Sequence, residues 1–121
     1  MDFEVSETER LFAETVRKVV ARDVDPVIAA HPADRALPKP AMLDLYRAMA
    51  ALGYTGARVP EADGGGGLSH VMLGLVQEAV PPVLGFSVLG HESTAKRIHM
   101  GGTPEQKARF LPDLMAGPQL P

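Results

Sequence analysis

The 121-residue sequence contains no cysteine and no tryptophan. Without thiols there are no disulfides, no zinc–thiolate or iron–sulfur ligation and no cysteine nucleophile. Aromatic residues are only 5% of the chain, four Phe and two Tyr. A core must then be built from Leu, Val, Ala, Met and Ile, which suits helix packed on helix and speaks against a β-sandwich. Nor is there a surplus of basic charge: 12 Lys and Arg stand against 15 Asp and Glu, giving a net charge of −3 and a pI near 5.7. The cations are scattered rather than gathered in a stripe, so nucleic acid is not expected as a partner. No apolar run approaches the ~18 residues needed to span a bilayer. The acidic start Met1-Asp2-Phe3-Glu4 lacks the basic and apolar regions of a signal peptide, so the expectation is a cytoplasmic chain with no membrane partner. What is present, 45% hydrophobic and 22% charged residues, is the composition of one ordinary globular domain.

The periodicity predicts an all-α fold, a compact bundle of about five helices in a single domain spanning residues 1–121. Ser6-Glu7-Thr8-Glu9 has capping-box spacing and starts the first helix, with Leu11, Phe12, Val16, Val19 and Val20 on its apolar side. Asp25-Pro26 predicts a break or kink near Val24, with a further turn through Ala30. The stretch from His31 to Pro40 reads as loop. A second helix starts at Pro40, turns Met42, Leu45, Met49 and Leu52 to one face, and ends at Gly53. Tyr54 to Val59 is too short to distinguish a strand from an extended connector, and Pro60 to Gly67 reads as loop. Ser69 caps a third helix, apolar almost all round, running to about Val80. After Pro81-Pro82 a fourth helix runs from Val83 to about Met100, weakened by Gly85 and Gly90. Each glycine admits two readings, tight helix packing or close approach of a ligand. Thr103-Pro104-Glu105-Gln106 caps a fifth helix, which Pro112 distorts near its end at about Met115 and Gly117-Pro118 closes.

The run Gly64 to Gly67 lacks the Gly-Lys-Ser/Thr ending of a phosphate loop and reads as a turn ahead of the Ser69 cap. His31, His70, His91 and His99 do not pair at helical i, i+4 spacing, so no metal site is expected. Ser69, Ser87 and Ser93 show no G-x-S-x-G elbow, and a hydrolase triad has no support. Three residues are weak candidates for acid/base work. Glu78, in the most apolar helix, would if buried need a partner such as Arg97 or a backbone donor. His91 and Glu92 lie in the glycine-containing helix, where adjacent positions point in different directions. For His91 and Glu92 the competing reading is a solvated surface, and for Glu78 a structural ion pair.

From Phe3 to about Gly117 the sequence resembles the N-terminal helical domain of the acyl-CoA dehydrogenase family. The resemblance rests on Asp2-Phe3, Ser6-Glu7, Arg10-Leu11, Val16-Arg17, Val24 and Pro26; on Leu52-Gly53-Tyr54, Gly56, Val59-Pro60-Glu61, Gly64-Gly65 and Gly67-Leu68; and on the run Gly102-Thr103-Pro104-Glu105-Gln106-Lys107-Ala108-Arg109-Phe110-Leu111-Pro112. It implies an FAD-dependent oxidoreductase acting on an acyl thioester, usually a homotetramer, in which a carboxylate removes the α proton while hydride leaves the β carbon for the flavin. In that family the catalytic glutamate lies in a C-terminal helical domain. The main flavin motif opens a β-domain that would begin just after Gln119-Leu120-Pro121. Both domains are absent from this sequence, so no cofactor-binding residue is expected in it, and the chain alone is expected to be redox-inactive.

The resemblance assigns to this segment the distal wall of the acyl pocket, at Phe86, Leu89, Gly90 and Ser93. Their i, i+3, i+4, i+7 spacing equally suits the inner stripe of a packed helix. Pro81-Pro82 replaces the small polar connector common in the family, which leaves the register of Phe86 and Leu89 open. Two roles follow: the helical lobe of an acyl-CoA dehydrogenase-type enzyme that needs a partner chain, or a free-standing module acting as a small-ligand binder or a non-redox isomerase or cyclase. The apolar helices also suit a third, a purely structural interaction protein, through a partner or self-association.

Overall fold

The computed structural model describes residues Asp2 to Gly117. Among them every regular element is helical: α1 (Glu7–Val19), a π turn (Val20–Val24), α2 (Asp25–Ala29), α3 (Lys39–Ala51), α4 (His70–Ala79), α5 (Pro82–Gly101) and α6 (Pro104–Ala116), with short 3-10 turns at Tyr54–Gly56 and Glu61–Asp63. Because α1, the π turn and α2 are contiguous, the expected bundle of about five helical bodies is what forms. Pro118 and the tail to Pro121 lie outside the described residues, as does Met1.

The capping chemistry sits where the sequence places it. The Ser6 hydroxyl accepts from the Glu9 amide at 3.1 Å while the Glu9 carboxylate accepts from the Ser6 amide at 3.1 Å. Thr103 and Gln106 repeat the exchange at 3.2 and 2.9 Å, and Ser69 accepts from Met72 at 3.1 Å. Gly53 takes the left-handed conformation just past α3, with φ of 75°, which a side chain would resist.

The expected interruption at Asp25-Pro26 takes another form. Proline at position 26 has no amide to donate, and its ring crowds the carbonyl four residues back. The helix absorbs both by widening to a π turn immediately before it, where the Asp25 amide reaches the Val20 carbonyl, and then continues to Ala29. The helical elements run on without a gap from Glu7 to Ala29, and the buried seam runs on with them. That seam is Ala13, Val16, Val20 and Val24, while Leu11, expected on the apolar side, is 50% exposed.

The main core joins Val16, Val20 and Val24 to Leu45, Tyr46 and Met49 of α3, Leu73 and Val76 of α4, and Leu84 and Val88 of α5. A smaller cluster of Val59, Ala95 and Leu111 ties α5 to α6. Helix α4 is covered less than its composition suggests: Leu73 and Val76 are buried, while Val71 is 53% exposed.

The connector after α3 is the largest departure from expectation. Tyr54, Thr55, Ala57 and Val59 are completely buried, and the segment is a 3-10 turn packed against α3, α5 and α6. The glycine run folds back over it. Amides of Gly64, Gly65, Gly66 and Gly67 donate to the carbonyls of Glu61, Pro60, Gly56 and Val59 at 2.9 to 3.0 Å. A Cβ on Gly65 would stand 2.1 Å from the Val59 oxygen, and one on Gly66 2.3 Å from that of Gly53. Glycine is required here because backbone packs on backbone.

Candidate functional site

Helix α5 carries the side chains of interest on opposite faces. Leu84, Gly85, Val88, His91, Glu92 and Ala95 recur every three or four residues and are buried. That periodicity turns the row of Phe86, Leu89, Gly90 and Ser93 outward. Phe86 is 85% exposed and Leu89 38%, Gly90 is exposed and Ser93 half-buried. The reading of this row as the inner stripe of a packed helix is therefore overturned, since the inner stripe lies on the other face.

The two helix-interior glycines part company. A Cβ on Gly85 would lie 3.0 Å from the Gln77 side-chain oxygen and 3.8 Å from Val80, which is tight packing against α4 and its C-terminus. At Gly90 a Cβ would meet nothing within 4 Å. Packing among the described residues does not call for glycine there. Beside it opens a cleft of about 310 Å³ between α3, α5 and α6, lined by Tyr46, Ser87, Gly90, His91, Thr94 and Leu114.

Glu92 and His91 are not on a solvated surface, contrary to one of the readings made for them. Each occupies a place in the apolar repeat of α5, and each has a specific partner. The Glu92 carboxylate is fully buried and grips the Arg58 guanidinium, Nη2 donating to Oε2 at 2.7 Å and Nε to Oε1 at 2.9 Å. The Arg58 backbone amide adds a third bond to Oε1 at 3.1 Å. These contacts hold the guanidinium pKa above its ordinary value, the hydrogen bond to Glu92 being the main cause and burial opposing it. His91 turns toward α3 and α6 instead. Its Nε2 lies 2.6 Å from the Leu114 carbonyl, which can only accept, so Nε2 bears the hydrogen. Its ring meets Tyr46 edge-on at 5.1 Å.

Glu78 departs from expectation in the other direction. It is exposed on α4 and among the described residues makes no ion pair, with Arg97 or otherwise. The three acid/base candidates thus point to solvent, to the connector and to the α3–α6 seam, and do not converge on one cavity.

Sequence reasoning missed Arg58 and Tyr54. The Tyr54 ring is completely buried and its hydroxyl has no hydrogen-bond partner. Burial pushes its pKa up to about 12, the nearby Glu92 charge adding to the effect and Gln77 and Arg58 opposing it. The signal for Glu92 was present in its spacing, four residues after Val88 and three before Ala95. Nothing local pairs it with Arg58, which lies 34 residues away.

Whether the glycine run could receive an anionic group is decided by its amides, and all four are spent on backbone carbonyls. Among the described residues no set of three His, Asp or Glu is placed to hold a metal ion and no helix is long and apolar enough to cross a membrane.

With this geometry in hand, comparison with known proteins gives a consistent result. The pattern of the acyl-CoA dehydrogenase N-terminal domain matches residues 6–118. The (2S)-methylsuccinyl-CoA dehydrogenase of Cereibacter sphaeroides is 38% identical over 82 residues, which is 65% of this chain and 15% of that protein. The chain therefore spans a small part of the relative it matches. The capped helices, the buried connector with its glycine fold-back and the match over residues 6–118 agree, and the chain belongs to the acyl-CoA dehydrogenase N-terminal domain family.

Proposed function

We propose that this chain is the helical lobe of an FAD-dependent acyl-CoA dehydrogenase-type oxidoreductase and that the outward row of α5 forms one wall of its acyl pocket. The observation that carries this reading is the placement of Phe86, Leu89 and Gly90 on an uncovered face while the opposite face of the same helix is packed. An exposed Phe and Leu beside a glycine with open space above it suits an apolar chain laid along the helix. The lobe supplies shape and desolvation, which orient an acyl thioester for the loss of its α proton and β hydride.

The glycine run of this lobe does not fit the flavin phosphates. The amides of Gly64, Gly65, Gly66 and Gly67 that could face them are already donated to backbone carbonyls. Glu92 and His91 do not suit the role of base either, since the carboxylate is held by Arg58 and the imidazole by Leu114. Flavin and base belong to a β-domain and a C-terminal helical domain, supplied by a partner chain or by further sequence.

The test is purification from the native host of the gene product tagged in place, with mass spectrometry and an absorbance spectrum of the eluate. A stoichiometric β-domain with a flavin band supports the reading. A colourless chain without one sinks it. Residues 1–121 on their own should retain no FAD through gel filtration and reduce no dye with any acyl-CoA, and flavin retention by this piece would contradict the assignment.

A further inference from the structure

Helix α5 begins without a cap. Pro81 stands in the N-cap position with no side-chain acceptor, and Pro82 follows it. Neither proline has an amide hydrogen, so two of the donors that a helix start leaves open are missing. The amides of Leu84 and Gly85 turn back to the Pro81 carbonyl at 3.0 and 2.9 Å. The Val83 amide is what remains, and among the described residues it has no hydrogen-bond partner. The partial positive charge of a 20-residue helix gathers at this end.

Val83 lines a cavity of about 420 Å³ between α2, the loop that follows it and the start of α5. Ile28, Pro32, Ala33 and Leu37 give that cavity an apolar wall. The His31 ring is fixed as part of it, because its Nδ1 lies 2.8 Å from the Val27 carbonyl, which can only accept. Of the described residues that line the cavity, Arg35 alone carries a permanent charge. Its neighbour Asp34 lies outside the lining, with the carboxylate 3.8 Å from Arg35 Nε and both side chains largely exposed. So long and wet a pair leaves the guanidinium open to another anion. The lining thus offers a guanidinium and an uncapped helix start, with no carboxylate to oppose them.

An apolar cavity with a few donors of one sign fits a molecule with a hydrocarbon body and an anionic head. The head carries one charge, since a second would be desolvated against the apolar wall without a partner. We propose that this cavity binds a free monocarboxylic acid as its anion, the hydrocarbon body against Ile28, Pro32 and Leu37 and the carboxylate on Arg35 and the Val83 amide. The site is independent of the acyl-wall reading: Phe86, Leu89, Gly90 and Ser93 do not line it, and its ligand is a free acid rather than a thioester.

The test is NMR titration of the full ¹⁵N-labelled chain with octanoate, octanol and inorganic phosphate, which separate the whole ligand from its body and from a bare anion. Octanoate should shift the Val83 amide and the Arg35 Nε–H and bind about five- to tenfold tighter than octanol, the gain expected of one exposed charged pair and one helix end. Octanol binding as tightly overturns the anion site. Phosphate shifting Val83 as strongly as octanoate overturns the apolar body, and octanoate leaving Val83 and Arg35 unmoved overturns the assignment altogether. Arg35→Met removes a largely exposed charge, so the variant should melt with the parent, bind octanol as before and lose most of the preference for octanoate. Ala33→Phe places a ring in the cavity and should weaken both ligands. A full octanoate preference in R35M, or undiminished binding in A33F, refutes the site.

Discussion

Arg58 and Glu92 form a two-bonded ion pair, 2.7 and 2.9 Å, between the buried connector and the inner face of α5, with the carboxylate wholly removed from solvent. Removing one partner strands the other. Arg58→Met, which strands the fully buried Glu92 carboxylate, is expected to cost about 3–5 kcal/mol and Glu92→Met less, since the Arg58 side chain keeps contact with solvent, while R58M/E92M should fall within about 1 kcal/mol of the parent. Urea melts of the three variants form a double-mutant cycle that checks this. Additive losses in the double variant would mean that the pair is not coupled as described.

Tyr54 makes stability depend on alkaline pH. Its hydroxyl sits beside the Glu92 charge without a hydrogen-bond partner, and its pKa is pushed from 10.0 to about 12. The folded state thus holds this proton more tightly than the unfolded chain does. The corresponding stability is fully present below pH 10 and is lost as the pH climbs toward 12. The loss amounts to about 2–3 kcal/mol at the top of that range. Denaturant midpoints between pH 9 and 12 should fall accordingly, and in Tyr54→Phe the fall should be smaller by that amount. Equal pH profiles for the two proteins would refute the link.

The helices were legible because their signals are local. Ser6 with Glu9, Ser69 with Met72 and Thr103 with Gln106 each act within one turn, and the glycine at 53 marks an end through its own backbone. The π turn was not legible, since Pro26 announces a conflict with the helix but not the way it is relieved. The connector was least legible. Six residues from Tyr54 to Val59 have no periodicity to read, and their burial depends on α5 and α6, which begin only at Pro82 and Pro104. The outward row of α5 could be listed from spacing alone, yet its direction required knowing which of two overlapping apolar rows the core takes. Glu92 decides that, because its partner Arg58 lies on the inner side.

The glycine fold-back should be among the least tolerant parts of the chain. A Cβ on Gly65 would stand 2.1 Å from a backbone oxygen of Val59, which has no flexible end to move aside. Gly65→Ala is therefore expected to separate the loop from the connector and expose the buried turn at Tyr54. Loss of amide-exchange protection at Leu68, whose amide donates to Ala57 at 2.7 Å, reports that separation. Unchanged protection at Leu68 in this variant would show that the loop packs some other way.

Gly90 is predicted to behave in the opposite sense. It lies inside a 20-residue helix, where glycine costs about 0.5–1 kcal/mol relative to alanine, and an added methyl would touch nothing within 4 Å. Gly90→Ala should therefore stabilise the isolated chain by about that amount. If the outward row receives an acyl chain, the same methyl occupies the space the ligand needs, and affinity for butyryl-pantetheine should fall as stability rises. Gly74, on the exposed side of α4 with nothing within 4 Å of its own Cβ position, is the control. Gly74→Ala should raise the melting temperature comparably and leave ligand binding alone. Stabilisation at both positions with weakened binding only at 90 would mean that a glycine neutral to the fold is reserved for the ligand, and unchanged binding in both would remove Gly90 from the wall.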